Sequence, residues 1–479
     1  MRFAQLLIDP RASKRVCIIG AGANGLATLK ILAETPQVQS GQWELVAFEQ
    51  RDNVGGVWYP APCTENPPLT PLYDSLSTNI PITVMASPSF PFPPETSLFP
   101  TAAVVQKYLE DYAVHFDLLR FVRLCVRVEK VSWDTNSGEW DITLSTGERF
   151  KFDFVVVANG HYRIPRYPLA TGLQSWLDSG RAMHSVWYRR AGEFAHHKTV
   201  MVVGGGPSAM DICMELMGTI PLLLHSTPPT AAKIGVTYPE DTEYYRKVVR
   251  VAEYRDDGSV LLEDGSIELN IDLVILATGY EMSFPFFSQI KFEVPPLPPP
   301  LPDELYNSTY HVFPLALHLF PLQNNFPPTS IAFPGLLYRV APIPLFEDQA
   351  RAIAGVIEDP ASLDPPSCAA DIAARVRTIM REKGTDDPML IAKAWGQFAL
   401  LEPFEYRAQL NAFAGRNWTA PEWEVDCWKN KVVLREEWGV IERSRKSAEW
   451  LKGVGMNGNG MEDWARLCRK LIKRREDRG

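Results

Sequence analysis

The stretch VCIIGAGANGLATLKILAE, residues 16–34, decides the fold. Its first four residues form an apolar run short enough for a parallel strand buried on both faces. Gly20, Gly22 and Gly25 follow as G-x-G-x-x-G, and Leu26, Leu29 and Ala33 then place an apolar stripe along a helix. In this setting the first glycine permits the tight turn, the second lets a pyrophosphate approach, and the third allows close helix–strand packing. The helix N-terminus adds unpaired N–H groups and the positive end of the dipole. The next apolar run, WELVAFE, ends at Glu49, where a carboxylate can bind ribose hydroxyls. The separation exceeds the usual ~20 residues, and the loop PQVQSGQ at 36–42 accounts for the excess. A dinucleotide site is expected here.

The stretch VMVVGGGPSAMDICMELM, residues 200–217, repeats the grammar. Gly204, Gly206 and Ala209 make G-x-G-x-x-A, with Ser208 in the first turn of the helix and Ile212, Cys213 and Leu216 along its stripe. The following strand, PLLLHST, ends without an acid. NAD sites prefer Asp or Glu there, whereas NADP sites replace it with phosphate-binding groups. Ser226, Thr227 and Lys233 are the candidates, and NADPH is the expected nucleotide. Asp211 reads as a helix-start residue whose charge suits the dipole. Two further runs, FVVVANG at 154–160 and LVILATG at 273–279, look like strands that pass the chain from one domain to the other.

Two dinucleotide sites on one chain imply FAD beside NADPH, and the expected fold is α/β: two Rossmann-like dinucleotide-binding domains, the NADPH domain inserted in the FAD domain, with a mainly helical C-terminal region. The boundaries read as 1–165 and 278–355 for the FAD domain, 166–277 for the NADPH domain, and 356–479 for the helical region. That last region holds seven of the 13 tryptophans, which suit a homodimer interface. Prolines concentrate elsewhere, eleven from Pro60 to Pro100 and fourteen from Pro285 to Pro344, so both stretches read as long packed loops. Within the second, VPPLPPPLPD at 294–303 reads as a polyproline spacer on the surface.

Composition narrows the function. A chain of 479 residues with net charge -9 is a poor partner for nucleic acid, whose phosphates require a basic face. Seven cysteines without CxxC or metal-ligand spacing exclude a redox dithiol of that kind and a zinc site, and suit a reducing compartment. No apolar run approaches the roughly 20 residues that span a bilayer, and no secretory signal is apparent. The expected location is cytoplasmic. Two dinucleotide sites imply FAD exchanging electrons with NADPH. Without a CxxC or a GxSxG, oxygen remains as the electron acceptor.

More residues then make the reading specific. After Glu49 comes QRDNVGGVWYP, with Gly55, Gly56 and Trp58; then YDSLSTNIPITVM at 73–85, with Thr78 and Asn79. Next come VVVANGHYRIPRYP, GRAMHSVWYRR, ATGY and PIPLFEDQA at 342–350. In this order, over roughly residues 15–355, the chain resembles the flavin-containing monooxygenases. The resemblance implies that Gly56, Trp58 and Thr78 belong to cofactor-binding segments, and that Asn79 is the catalytic amide beside the flavin, which holds the oxygen adduct or the NADP protecting it. It matches His184 and Tyr188 to the end of the family fingerprint, on the cofactor side, with His184 orienting the interdomain linker. The family's Phe two positions before Gly180 is Asp178 here. The implied activity is C4a-hydroperoxyflavin formation and oxygenation of a soft nucleophile, an amine nitrogen or a sulfide sulfur, in a small molecule. Tyr188 stands where Baeyer–Villiger enzymes carry Trp, which favours heteroatom oxygenation. The rivals are a Baeyer–Villiger enzyme or N-hydroxylase, an uncoupled NADPH oxidase, and a flavin-binding scaffold without turnover.

Overall fold

The computed structural model describes residues 13–227, 238–457 and 460–478. Its chain divides into two compact units: residues up to 59 with 80–161 and 282 onward, and residues 60–79 with 162–281. The contacts thus group 60–79 with the inserted unit and the C-terminal helices with the first.

In the first unit, β1 (Lys14–Ile19) leads through the glycine turn into α1 (Ala23–Ala33), and β2 (Trp43–Phe48) and β3 (Phe154–Val157) flank β1 on either side. The short strands 331–332 and 122–123 extend the sheet at its two edges, and all pairings are parallel. Because side chains alternate across a strand, the two faces build two cores. Val16, Ile18, Leu45, Ala47, Phe154 and Val156 face Leu26, Leu29 and Leu32 of α1. Cys17, Ile19, Val46, Phe48, Val155 and Val157 face Trp140, Ile142 and Phe152 of an antiparallel meander.

The inserted unit has the same plan. β4 (Thr199–Val203) feeds α2 (Pro207–Leu216) and lies between β5 (Leu222–Ser226) and β6 (Leu273–Leu276), with strands 245–248 and 182–184 outermost. These pairings are also parallel. The stripe of α2, from Ala209 to Leu216, packs on Val200, Val202, Leu223 and Ile275. Trp176, Met201, Leu224 and Val274 fill the opposite face.

Back in the first unit, α3 (Pro342–Glu358) packs beside α1, and the helices beyond it enlarge the same core. Trp395, Trp428, Trp438 and Trp464 are buried there, and Trp423 and Trp450 pack against it. Those six tryptophans pack inside the chain, and Trp418 is half-buried. The run 294–303 also departs from a surface spacer: Pro295 and Pro298 are buried, and Leu297 and Leu301 pack on the core. Leucines alternating with prolines give that strip its own apolar anchor. Among the described residues no helix is long and apolar enough to cross a membrane, and no cluster of side chains could hold a metal ion.

Candidate cofactor and active site

Backbone crowds each glycine of the first motif. Gly20 turns the chain with φ +101°, and a Cβ there would stand 2.7 Å from the Ala158 carbonyl oxygen at the end of β3. A Cβ on Gly25 would meet the Gly20 oxygen at 2.0 Å. Gly22 is the N-cap of α1, no side chain caps that end, and no acid lies in the first turn. The end of the helix is therefore left for an anion. Gly22 bridges to Gly55, whose N–H donates to the Ala21 carbonyl at 3.0 Å, so the Gly55–Gly56 turn crosses directly over the motif. Trp58 follows, half-buried against the core.

Glu49 is buried at the end of β2. One carboxylate oxygen accepts the Ala21 N–H at 2.8 Å and the other the Arg51 N–H at 2.9 Å. Burial raises its pKa, against the opposing pull of those two N–H groups. Each oxygen keeps a second lone pair with which to meet a ribose hydroxyl. A crowded glycine turn, an open helix end and an acid tied to the same loop fit an adenine dinucleotide such as FAD.

Residues that the motif reading missed support this turn. The guanidinium of Arg51 donates to the carbonyls of Gly56 (3.2 Å) and Tyr59 (2.5 Å). Gln106 donates to Val54 O at 2.8 Å, and its Oε1 occupies the space a Cβ on Gly55 would need. Gln349 of α3 accepts the Gly335 N–H at 2.9 Å, while buried Glu347 accepts from Ser87 Oγ at 2.5 Å and the Tyr112 hydroxyl at 3.1 Å. The stretch 342–350 thereby braces the first unit. Its pattern in the sequence carries the family resemblance but does not record these distant partners.

The second motif repeats the first with one difference. A Cβ on Gly204 would stand 2.3 Å from the Ala277 oxygen, whereas the space beside Gly206 is open. Gly206 is the N-cap of α2, with Pro207 at the first helical position and Ser208, half-buried, next to it. The space beside Gly206 leaves room for a pyrophosphate at the start of α2. Ser226 is buried and donates to Val249 O at 3.0 Å; Thr227 is half-buried with its N–H on Val248 O. Lys233 lies outside the described residues.

His225, at the end of β5, was passed over in the sequence. It is buried, with Nε2 at 2.8 Å from the Gly204 carbonyl and Nδ1 at 2.9 Å from the Tyr245 hydroxyl. The carbonyl can only accept, so Nε2–H donates and Nδ1 receives the phenol proton. Burial lowers the pKa of this ring and favours that neutral form. Tyr238 donates to the neighbouring Gly205 carbonyl at 2.8 Å. A histidine ending the strand after a glycine turn was the available signal.

His184 and Tyr188 also have their polar atoms engaged within the inserted unit. His184 Nε2 is 3.0 Å from Gly279 O, and Nδ1 accepts the Val186 N–H at 3.1 Å. Burial pushes its pKa down to about 4, so the ring is neutral. Tyr188 is buried and donates to Glu215 Oε2 at 2.5 Å. Asp178 lies on the surface, accepting from Gln174, and Trp176 supplies the buried aromatic of that turn. Thr78 is buried, its hydroxyl without a partner among the described residues, while Asn79 beside it is exposed. Tyr73, six residues before Asn79, donates to Asp211 Oδ2 at 2.5 Å.

Two glycine-turn nucleotide sites, each at the end of a central parallel strand, define a flavoprotein oxidoreductase of the two-dinucleotide class. Residues 13–237 and 245–367 match the family model for flavin-binding monooxygenase-like proteins, and the chain belongs to that family. It is 32% identical over 384 residues to flavin-containing monooxygenase FMO GS-OX-like 2 of Arabidopsis thaliana, covering 74% of this chain and 76% of that one. It is 31% identical over 293 residues to the thiol-specific monooxygenase of Saccharomyces cerevisiae, covering 59% and 64%. The structure of S-allyl-L-cysteine S-oxygenase from Allium sativum superposes with TM-score 0.71 at 25% identity, covering 96% of this chain and 99% of that one. The chain is an oxidoreductase, a monooxygenase that uses FAD and NADPH.

Proposed function

We propose that this monooxygenase oxygenates a soft nucleophile of a small molecule, and that its preferred atom is a sulfide sulfur. The observation that carries the reading is the likeness to an S-oxygenase over 96% of the chain, joined by relatives named for thiol and GS-OX chemistry. Tyr188, held by Glu215, supports it only through the family resemblance, which places it where Baeyer–Villiger enzymes carry Trp. An amine nitrogen is the second acceptor of the same electronic kind.

When bound, FAD supplies electron transfer from NADPH to O2 and delivery of one oxygen atom to the substrate, the other leaving as water. The chain's own residues hold and orient the reactants. Gly20, Gly22 and Gly25 with the start of α1 would take the FAD pyrophosphate, and Glu49 its ribose. Gly206 and Ser208 with the start of α2 would take the pyrophosphate of NADPH. Ser226, whose hydroxyl is held by Val249 O, and Thr227, whose side chain is hydrogen-bonded to Tyr238, are the two candidates for the ribose phosphate. Asn79, exposed and neutral, would donate a hydrogen bond to an oxygen without competing for protons. No side-chain base is required, since the lone pair of sulfur or nitrogen is the nucleophile.

The test is a comparison of an alkyl aryl sulfide, a tertiary amine and a cyclic ketone under NADPH and air, with product and peroxide measured against NADPH consumed. Sulfoxide formed in proportion to NADPH is the expected result. A lactone as the sole oxygenated product would refute the proposal, and peroxide equal to NADPH with every substrate would make the protein an oxidase.

A further inference from the structure

The segment that carries Asn79 is attached to the nucleotide-binding helix of its own unit. Tyr73 is buried in the core on which α2 packs, and its hydroxyl donates to Asp211, one turn into α2, at 2.5 Å. One turn further on, Glu215 accepts the Tyr188 hydroxyl, also at 2.5 Å, and the two phenol rings meet edge to face with centroids 5.9 Å apart. The backbone continues the attachment. The Asp74 N–H donates to Arg189 O at 2.9 Å, and the Arg189 guanidinium donates to Thr70 O at 3.1 Å. From Tyr73 a tight turn, with the Leu76 N–H on Tyr73 O at 3.0 Å, leads to Thr78 and Asn79. Asn79 itself is exposed, between buried Thr78 and Ile80, and on its N-terminal side the polar contacts that tie the segment to α2 are those at Tyr73.

We propose that Asp211 is a positioning residue: through the Tyr73 hydroxyl it fixes the 73–79 segment to α2 and so sets the place of the Asn79 amide. Two phenol–carboxylate bonds at i and i+4 on one helix form a rigid double anchor, stronger than neutral bonds because each acceptor is a carboxylate. A helix-start role needs only the charge of Asp211, whereas a positioning role needs its oxygen at the phenol. The inference rests on the reading of Asn79 as the amide that serves oxygen transfer.

The test uses the FAD-loaded enzyme and four variants: Tyr73→Phe, Asp211→Ala, Asp211→Asn and Asn79→Ala. Tyr73→Phe retains the ring in the core, so folding is not at stake, and bound FAD per chain serves as the check. Hydrogen–deuterium exchange of the peptide over 70–77 should quicken by about tenfold in Tyr73→Phe and Asp211→Ala, the scale of a lost charge-assisted bond, while the strands of β4 and β5 keep their protection. Sulfoxide formed per NADPH should fall, and peroxide rise, to the level of Asn79→Ala. Asp211→Asn, whose amide oxygen can still accept the phenol proton, should recover both readouts in large part. Quickened exchange with wild-type coupling would overturn the inference alone, as would unchanged exchange in Tyr73→Phe. Wild-type coupling in Asn79→Ala would overturn the reading of Asn79, and the inference with it.

Discussion

Gly22 and Gly56 meet backbone to backbone: a Cβ on Gly56 would stand 2.8 Å from Gly22 Cα, and one on Gly22 would stand 3.3 Å from Gly56 Cα. Two segments 34 positions apart in the sequence therefore cross where the FAD pyrophosphate is expected, and neither can yield, because both contact atoms are main chain. Gly56 also has φ +57°, a region that a Cβ disfavours. Gly56→Ala should produce protein with little bound flavin, read as the ratio of flavin to protein absorbance. Gly138→Ala is the control: φ is +70° there too, but nothing lies within 4 Å of the added carbon. Full flavin in Gly56→Ala would show that the crossing relaxes and that the turn does not shape the site.

Glu49 gives a sharper electrostatic test. Both of its oxygens accept a backbone N–H, from Ala21 and from Arg51. In Glu49→Gln one of those N–H groups must face an NH2 instead, at a cost of about 1–3 kcal/mol for an unsatisfied buried donor. FAD affinity, measured by titrating apoprotein, should weaken by about tenfold or more. Unchanged affinity would place the ribose elsewhere.

His225 separates the two nucleotide sites. Its ring joins the Gly204 carbonyl to the Tyr245 hydroxyl inside the inserted unit, remote in sequence from the FAD motif. His225→Phe keeps a ring of similar breadth but leaves both partners unpaired. The KM for NADPH should rise by about tenfold, while bound FAD stays at one per chain. A fall in FAD content with no change in KM would contradict the assignment of the second motif to NADPH.

How far the sequence alone could reach follows from where the information lies. At Val16–Gly25 and Val200–Ala209 strand, turn and helix are contiguous, so pattern and geometry coincide. Glu49 was legible because parallel β1–β2 pairing brings the end of the next strand to the first turn. His225, Tyr238 and Gln106 were not, because each acts across a long separation on a backbone atom, and no period records such a contact. The placing of the tryptophans was illegible for a different reason. Their number was plain, but whether Trp438 faces outward or reaches Ser97 Oγ, 341 positions away, depends on helix packing that the composition does not encode. Asp211 was read from its own helix alone, while its partner, Tyr73, sits in a proline-broken loop that has no periodicity to exploit.

The buried His311 ties stability to pH. Burial pushes its pKa down to about 3, below the ordinary value near 6.5, and its Nδ1 lies 2.6 Å from the Ser308 hydroxyl. As pH falls through about 6.5, the unfolded chain takes up a proton on this residue, while the folded chain does not until about pH 3. The unfolded state then binds more protons, so this group withdraws stability as pH falls, by at most about 1.4 kcal/mol per pH unit. Above pH 6.5 both states carry a neutral ring and the effect vanishes. His311→Asn retains a polar partner for Ser308 but cannot titrate. Its urea midpoint should therefore fall less steeply than that of the wild type between about pH 6 and pH 4.5, the interval where His311 alone differs in proton uptake between the two proteins. Buried carboxyls such as Glu49, whose pKa is raised, act in the opposite sense but are common to both proteins and cancel in the comparison. Parallel pH profiles would mean that the folded protein protonates His311 as readily as the unfolded chain does.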